Sequence, residues 1–303
     1  MSSSPAHTPE QARGALAAGL CYFLWGLVPL YWRELAAVDA VELVAHRHLW
    51  SLGLLLVLVA VRREFAAVRA ALGTPQSLVV NAAGALLLTG NWLCYVWGVN
   101  SGFVIETSLG YFLVPLSNIA AGRFILKEQL RRAQVAAIAL AATGVAVMFL
   151  QVDRPPWIAL AIVGTWGGYS LLRKRSPQPA VTSLTIETLL LAPAALAFLV
   201  WREHLGQGAL GHADLRIHLL LASSGLVTAV PLLLFAYGAR RIRLSTLGLL
   251  QYVAPSVQLL IGIAVYHEPF GRTRLTSFAF IWAALAVYTA DNLWSQRRSK
   301  SGG

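Results

Sequence analysis

The sequence predicts an all-α, polytopic membrane protein: ten transmembrane helices arranged as two inverted five-helix repeats. Three observations lead there. Of 303 residues, 57% are hydrophobic and only 12% charged, with a mean hydropathy of +0.63, far from the balance of a chain folded in water. Apolar windows recur along the chain, most near the roughly 20 residues that cross a hydrocarbon core at about 1.5 Å each. Finally, the second half repeats features of the first at a nearly constant offset.

The first window, residues 14–32, follows a polar stretch and is long enough to remain as a span, so no cleavable leader is read there. The second, 41–61, opens VELVAHRHLW and carries Glu42, His46, Arg47 and His48. Windows at 77–99 and 103–124 hold GNWLCYVWG and ETSLGYFLVPLSN. A fifth, 133–150, stops at QVDRPP, whose prolines and charges end a helix and mark the boundary of the halves. The sixth, 157–172, is the shortest; 180–201, 217–238, 244–266 and 275–293 complete the series. Their continuous apolarity, without alternation, excludes a β-barrel.

Domain organisation follows: a cytoplasmic tail at 1–12, five-helix repeats at 13–150 and 157–293, and a second cytoplasmic tail at 294–303. With both ends cytoplasmic, 17 of the 24 basic residues fall on that side, in clusters at Arg62–Arg69, Arg123–Arg132, Arg173–Arg175, Arg240–Arg243 and Arg297–Lys300, plus Arg13. Such asymmetry in short loops orients membrane proteins. The net charge of +11 therefore reports topology, and no loop is long enough to build a nucleic-acid-reading module. Cys21 and Cys94 lie inside predicted helices, which argues against a disulfide framework or a zinc site.

The duplication is specific. A shift of 140 residues brings Gly98 onto Gly238, Pro115 onto Pro255, Gly122 onto Gly262 and Glu128 onto Glu268, while 141 brings Trp25-Gly26 onto Trp166-Gly167. An odd number of spans per copy inverts the second copy in the membrane. Such inverted repeats recur in secondary transporters, with a site between the halves.

Within this frame a few polar side chains stand out. Glu106 and Arg47 are expected at matched depth near the outer mouth, where they would neutralise each other, and His46 shares a helix face with Glu42. Glu187 falls at the repeat position of Arg47 and is expected deeper, braced by a cytoplasmic base such as Arg243, with proton coupling as its candidate role. Asn91, Trp92, Tyr111, Asn118, Thr246, Gln251 and Tyr252 are the candidate cavity lining. Pro115 and Pro255 are expected to kink equivalent helices beside that cavity. Glu128 and Glu268 sit at helix ends near water and are expected to cap or brace the following helix. No metal site is expected: His204, His212 and His218 match no compact ligand spacing.

HR at 46–47, GNW at 90–92, E-x-SLGYF-x-x-P at 106–115, Glu187, LSTLG-x-x-QY-x-x-P at 244–255 and FAFIW at 278–282 resemble, in this order and spacing, the RarD group of EamA-type permeases in the drug/metabolite transporter superfamily. The resemblance covers nearly the whole chain. It implies ten helices in two inverted repeats, a bacterial inner-membrane location and a link to chloramphenicol. The expected function is a secondary transporter, an exporter of small amphipathic metabolites or drugs, whose aromatic residues Trp25, Trp92, Tyr95, Trp97 and Tyr111 would hold an apolar ligand. The alternative is a pH-independent facilitator of amino acids or related metabolites. An intramembrane enzyme would need a nucleophile with its base, which Ser224 and the histidines do not assemble. No cofactor is expected. The expected partners are a small-molecule substrate, protons where transport is coupled, and membrane lipids, with the chain as monomer or homodimer.

Overall fold

The structure, a computed structural model, describes residues 9–101, 103–150, 155–266 and 271–301. Every described element is helical, and no strand occurs among the described residues. In chain order these are α1 (Pro9–Glu34), α2 (Ala40–Val61), α3 (Phe65–Leu72), α4 (Pro75–Asn100), α5 (Val104–Ala120), α6 (Arg132–Phe149), α7 (Trp157–Arg175), α8 (Ala180–His204), α9 (Leu215–Arg241), α10 (Leu244–Gln251), α11 (Val253–Ala264) and α12 (Arg272–Ser301). A single π turn, Ala121–Ile125, extends α5. The expected acidic cap Glu268 lies outside the described residues.

Each apolar window coincides with helix, and among the described residues seven helical segments are long and apolar enough to cross a membrane. The windows at 103–124, 157–172 and 275–293 fall outside those seven. Helix α5 ends after 17 residues, α7 dilutes its apolar run with Gly, Thr, Tyr and a terminal Arg173-Lys174-Arg175, and α12 offers only Leu275–Asp291 as its apolar stretch. Short α3 has no counterpart among the sequence expectations, since eight residues leave too little periodicity to read.

The surface is apolar and the interior holds charge. Leu16, Val57, Leu86, Leu160 and Val200 are all more than half exposed, whereas Glu42, Arg47, Glu106, Arg173 and Glu187 are buried. In water this distribution would be unstable; surrounded by lipid it removes charge from hydrocarbon.

Helix ends are closed locally. Asp39 accepts from the amides of Val41 and Glu42 at 3.0 and 3.1 Å to start α2, and Asp214 accepts from Ile217 at 2.8 Å to start α9. Arg131 donates its own amide to Gln134 at 2.9 Å and joins Asp291 of α12 at 2.6 Å.

The extensive helix packings join a helix before residue 150 to one after 155. Helix α1 lies on α9 and α11, and α7 lies on α4 and α5. Helix α2 packs on α8 and α9, α4 on α8 as well as α7, α5 on α10, and α6 on α12. The halves therefore interlock rather than fold as two separate bundles. Two close approaches repeat at offsets of 141 and 140: Gly26 closes on Val257, where a Cβ would meet the valine Cβ at 2.5 Å, and Gly167 closes on Ser117, where it would meet Oγ at 2.9 Å.

Candidate functional site

Proline places the cavity. A proline at position i cannot donate to the carbonyl at i−4, so Pro29, Pro115, Pro231 and Pro255 free the carbonyls of Trp25, Tyr111, Val227 and Gln251. All four of these residues line one central cavity of about 250 Å³. Non-helical carbonyls at membrane depth are tolerated where they face such a lumen or a polar side chain. Gln258 supplies one such side chain, donating to the Trp25 carbonyl at 3.2 Å. Three residues before Pro255 the helix is interrupted at Tyr252, between α10 and α11, while α5 runs through Pro115 unbroken. The equivalent prolines thus produce unequal distortions.

The cavity draws on both halves. Tyr22, Trp25, Arg47, Asn91, Trp92, Tyr95, Ser108 and Tyr111 come from the first, and Trp166, Thr228, Gln251 and Gln258 from the second. Aromatic rings dominate its wall. Trp25 meets Trp166 edge-on at 5.2 Å, Tyr95 meets Tyr111 at 5.6 Å, and Trp92 meets Tyr95 at 5.8 Å. A second cavity of about 180 Å³ adjoins it, sharing Arg47, Trp92, Thr228 and Leu232, and continues toward His48, Glu187 and Thr188.

Arg47 joins the two spaces. Its guanidinium carbon lies 3.6 Å over the Trp92 ring, within cation–π range, and the side chain is 94% buried. The expected pair with Glu106 does not form. Glu106 instead accepts from the Ile158 amide at 2.7 Å, which places a carboxylate at the positive N-terminus of α7. Glu42 is engaged as well: it accepts from the Ala209 amide at 2.6 Å and from Arg202 at 3.4 Å, and stands 3.7 Å from His46. Among the described residues Arg47 makes no ion pair or hydrogen bond, and its Nη1 is buried without a partner. Holding such a charge out of water costs several kcal/mol unless something neutralises it.

Glu187 pairs with Arg173 at 3.1 Å, not with the expected Arg243, which donates to the Gln129 carbonyl instead. Tyr169 donates to the other Glu187 oxygen at 3.1 Å. Gly84 on α4 makes room for this pair, since a Cβ there would collide with the Glu187 carboxylate.

The remaining candidates divide. Asn91 donates to Thr165 at 3.1 Å and accepts from Tyr111 at 3.0 Å, which fixes both side chains in the cavity wall. Asn118 donates to Gln251 at 3.1 Å, and Tyr252 donates to the Phe112 carbonyl at 3.2 Å, each bond crossing between the halves. Asn118, Tyr252, Thr246 and His46 line neither cavity, and Trp97 packs against Phe103 and Trp157 with nearly half its surface exposed. Glu128 caps α10 rather than the following helix α6, accepting from the amides of Leu244 and Ser245 at 2.7 and 3.0 Å. The loop histidines brace the α8–α9 connection: His212 bonds the Gly206 carbonyl and His218 the Leu210 carbonyl, at 2.9 and 3.0 Å. Backbone bonding at Gly211 and Gly206 raises the proton affinity of exposed His212.

Sequence reasoning missed Arg173, Tyr169, Thr228 and Gln258. In sequence Arg173 reads as a loop charge, although its place in the last turn of an apolar helix is a signal for an inward-facing base.

The EamA-like transporter family matches this chain twice, over residues 12–150 and 156–290. Protein RarD of Streptomyces exfoliatus is 42% identical over 293 residues, covering 96% of this chain and 93% of that protein. Protein RarD of Escherichia coli (strain K12) is 38% identical over 290 residues, covering 96% and 98%. The chloramphenicol-sensitive protein RarD of Pseudomonas aeruginosa is 30% identical over 295 residues, covering 96% and 98%. A crystal structure with 20% sequence identity superposes with a TM-score of 0.70 over 91% of this chain and 97% of that one, which shows a shared fold. Polar groups gathered in a lipid-embedded bundle, and family matches across both halves, agree: the chain belongs to the EamA-like transporter family, in its RarD group, and is a multi-pass membrane transporter.

Proposed function

We propose that this protein is a secondary transporter that exports small amphipathic metabolites or drugs across the bacterial inner membrane by alternating access. The observation that carries the reading is the central cavity of about 250 Å³, walled by aromatic residues of both halves and by four residues whose carbonyls lose their helical donor to a proline. Ten spans in two inverted repeats, with both termini cytoplasmic, complete the proposal. Three features support the two-fold relation. The packings of α1 on α9 and α11 are exchanged for those of α7 on α4 and α5. The equivalent residues Trp25 and Trp166 touch each other, as do Phe112 and Tyr252, as mates near a two-fold axis must. The family match also occurs once per half.

Chloramphenicol enters as a candidate substrate because one relative's name mentions it. Proton coupling is assigned to Glu187, which faces the smaller cavity. A pH-independent facilitator is the second reading, favoured by the pairing of Glu187 with Arg173, which engages that carboxylate in a contact between helices. Flux in sealed liposomes, with and without an imposed pH gradient, decides between them. Gradient-driven uptake that Glu187→Gln makes pH-independent supports the coupled exporter, uptake indifferent to pH supports the facilitator, and an absence of flux for any amphipathic solute refutes both.

A further inference from the structure

We infer that the substrate carries an anionic group, a carboxylate on a small aromatic or aliphatic body, and that Arg47 binds it against Trp92. This rests on the transport reading and names the substrate class for the same cavity. Among the described residues the buried carboxylates are Glu42, Glu106 and Glu187, and all are engaged elsewhere: with Ala209 and Arg202, with Ile158, and with Arg173. Arg47 is left as a buried cation without a counter-charge, stacked on Trp92 where the two cavities meet. A guanidinium keeps its charge at neutral pH and presents a planar fork that matches a carboxylate.

The neighbouring unpaired groups point the same way. Trp166 Nε1, Tyr22 Oη and Thr228 Oγ1 border the cavity, are buried and lack hydrogen-bond partners among the described residues. Arg47 Nη1 and Trp166 Nε1 can only donate and the two hydroxyls can do either, whereas the Asn91 and Gln251 side-chain oxygens already accept from Tyr111 and Asn118. A ligand that complements this wall contributes acceptors and negative charge. Trp25 and Tyr95 then cover its apolar body.

The test uses the full chain purified in detergent and two isosteric probes, 3-phenylpropionate and 3-phenylpropionamide, with sodium chloride at matched ionic strength as the inorganic anion. Calorimetric binding is expected to favour the carboxylate by about 10- to 100-fold, the difference a charge-assisted pair makes. In Arg47→Met the preference is expected to vanish, with the melting temperature of the ligand-free protein held or raised, because an unpaired buried charge is removed. Arg47→Lys keeps the charge but loses the fork, so an intermediate preference is expected there even if the Met variant fails to fold. Equal affinity for both probes, a preference that survives Arg47→Met, or protection by chloride alone would each overturn the inference. Neither probe binding while neutral solutes still cross liposomes also overturns it and leaves the transport reading standing; no binding together with no flux removes both.

Discussion

Arg173 and Glu187 are each about 2% exposed and 3.1 Å apart, so each neutralises a charge the bilayer interior would otherwise reject. Glu187→Gln is expected to strand Arg173 and lower stability by about 3–5 kcal/mol, the range for breaking a buried pair by one partner. Arg173→Met combined with Glu187→Met is expected to recover most of that loss, as thermal unfolding of the two variants in detergent would show, while any proton coupling stays lost. If Glu187→Gln melts with the wild type, the pair is not the charge-neutralising unit described here. These contacts were only half legible in sequence. Glu187 is conspicuous because a carboxylate inside an apolar helix is rare, but Arg173 hides in a basic run, and which member of that run turns inward depends on α7 packing against α4.

Helix interruptions do at the next scale what single charges do at the first. Pro255 ends α10 at Gln251 and restarts the chain as α11, exposing backbone where the cavity lies. Pro255→Ala restores the missing donor, and is expected to join α10 to α11, raise stability by at most about 3 kcal/mol and suppress flux. Unchanged flux in a stabilised protein would show that the break is not used. Across the halves, the π turn after α5 and left-handed Lys127, with φ of 55°, swing Glu128 onto the start of α10. Glu128→Ala removes acceptors for two amides and is expected to cost about 0.5–2 kcal/mol, measurable in the same melts. Prolines announce kinks by chemistry alone. The destination of Glu128 was not legible, because a cap on a helix over a hundred residues away leaves no local pattern.

At the scale of the whole molecule, the proposed alternating access would require the interlocked halves to re-pair helices at each end of the bundle. One end is held by Arg243 on the Gln129 carbonyl and Glu128 on α10; the other by Glu34 with Arg216 and by Arg33 over the Tyr266 ring. In a chain with Cys21 and Cys94 replaced by alanine, cysteines at 129 and 243, or at 34 and 216, can be bridged by a bifunctional thiol reagent. Either bridge alone is expected to reduce liposome flux to background. Transport that persists through both bridges would mean that the two ends need not part.

Composition and window lengths determined the medium and the helical class, because apolar content and periodicity are local properties that lipid reads directly, and the ordered motifs from His46-Arg47 to 278–282 carried the family resemblance. Pairing was decided only by the tertiary structure. Arg47 and Glu106 stand at positions that invite a salt bridge, yet the start of α7 takes the carboxylate, since a helix N-terminus offers an unpaired amide and a positive dipole. That diversion leaves Arg47 facing the cavity without a counter-charge among the described residues, which no sequence pattern records, because it depends on where the other buried acids, Glu42 and Glu187, are engaged.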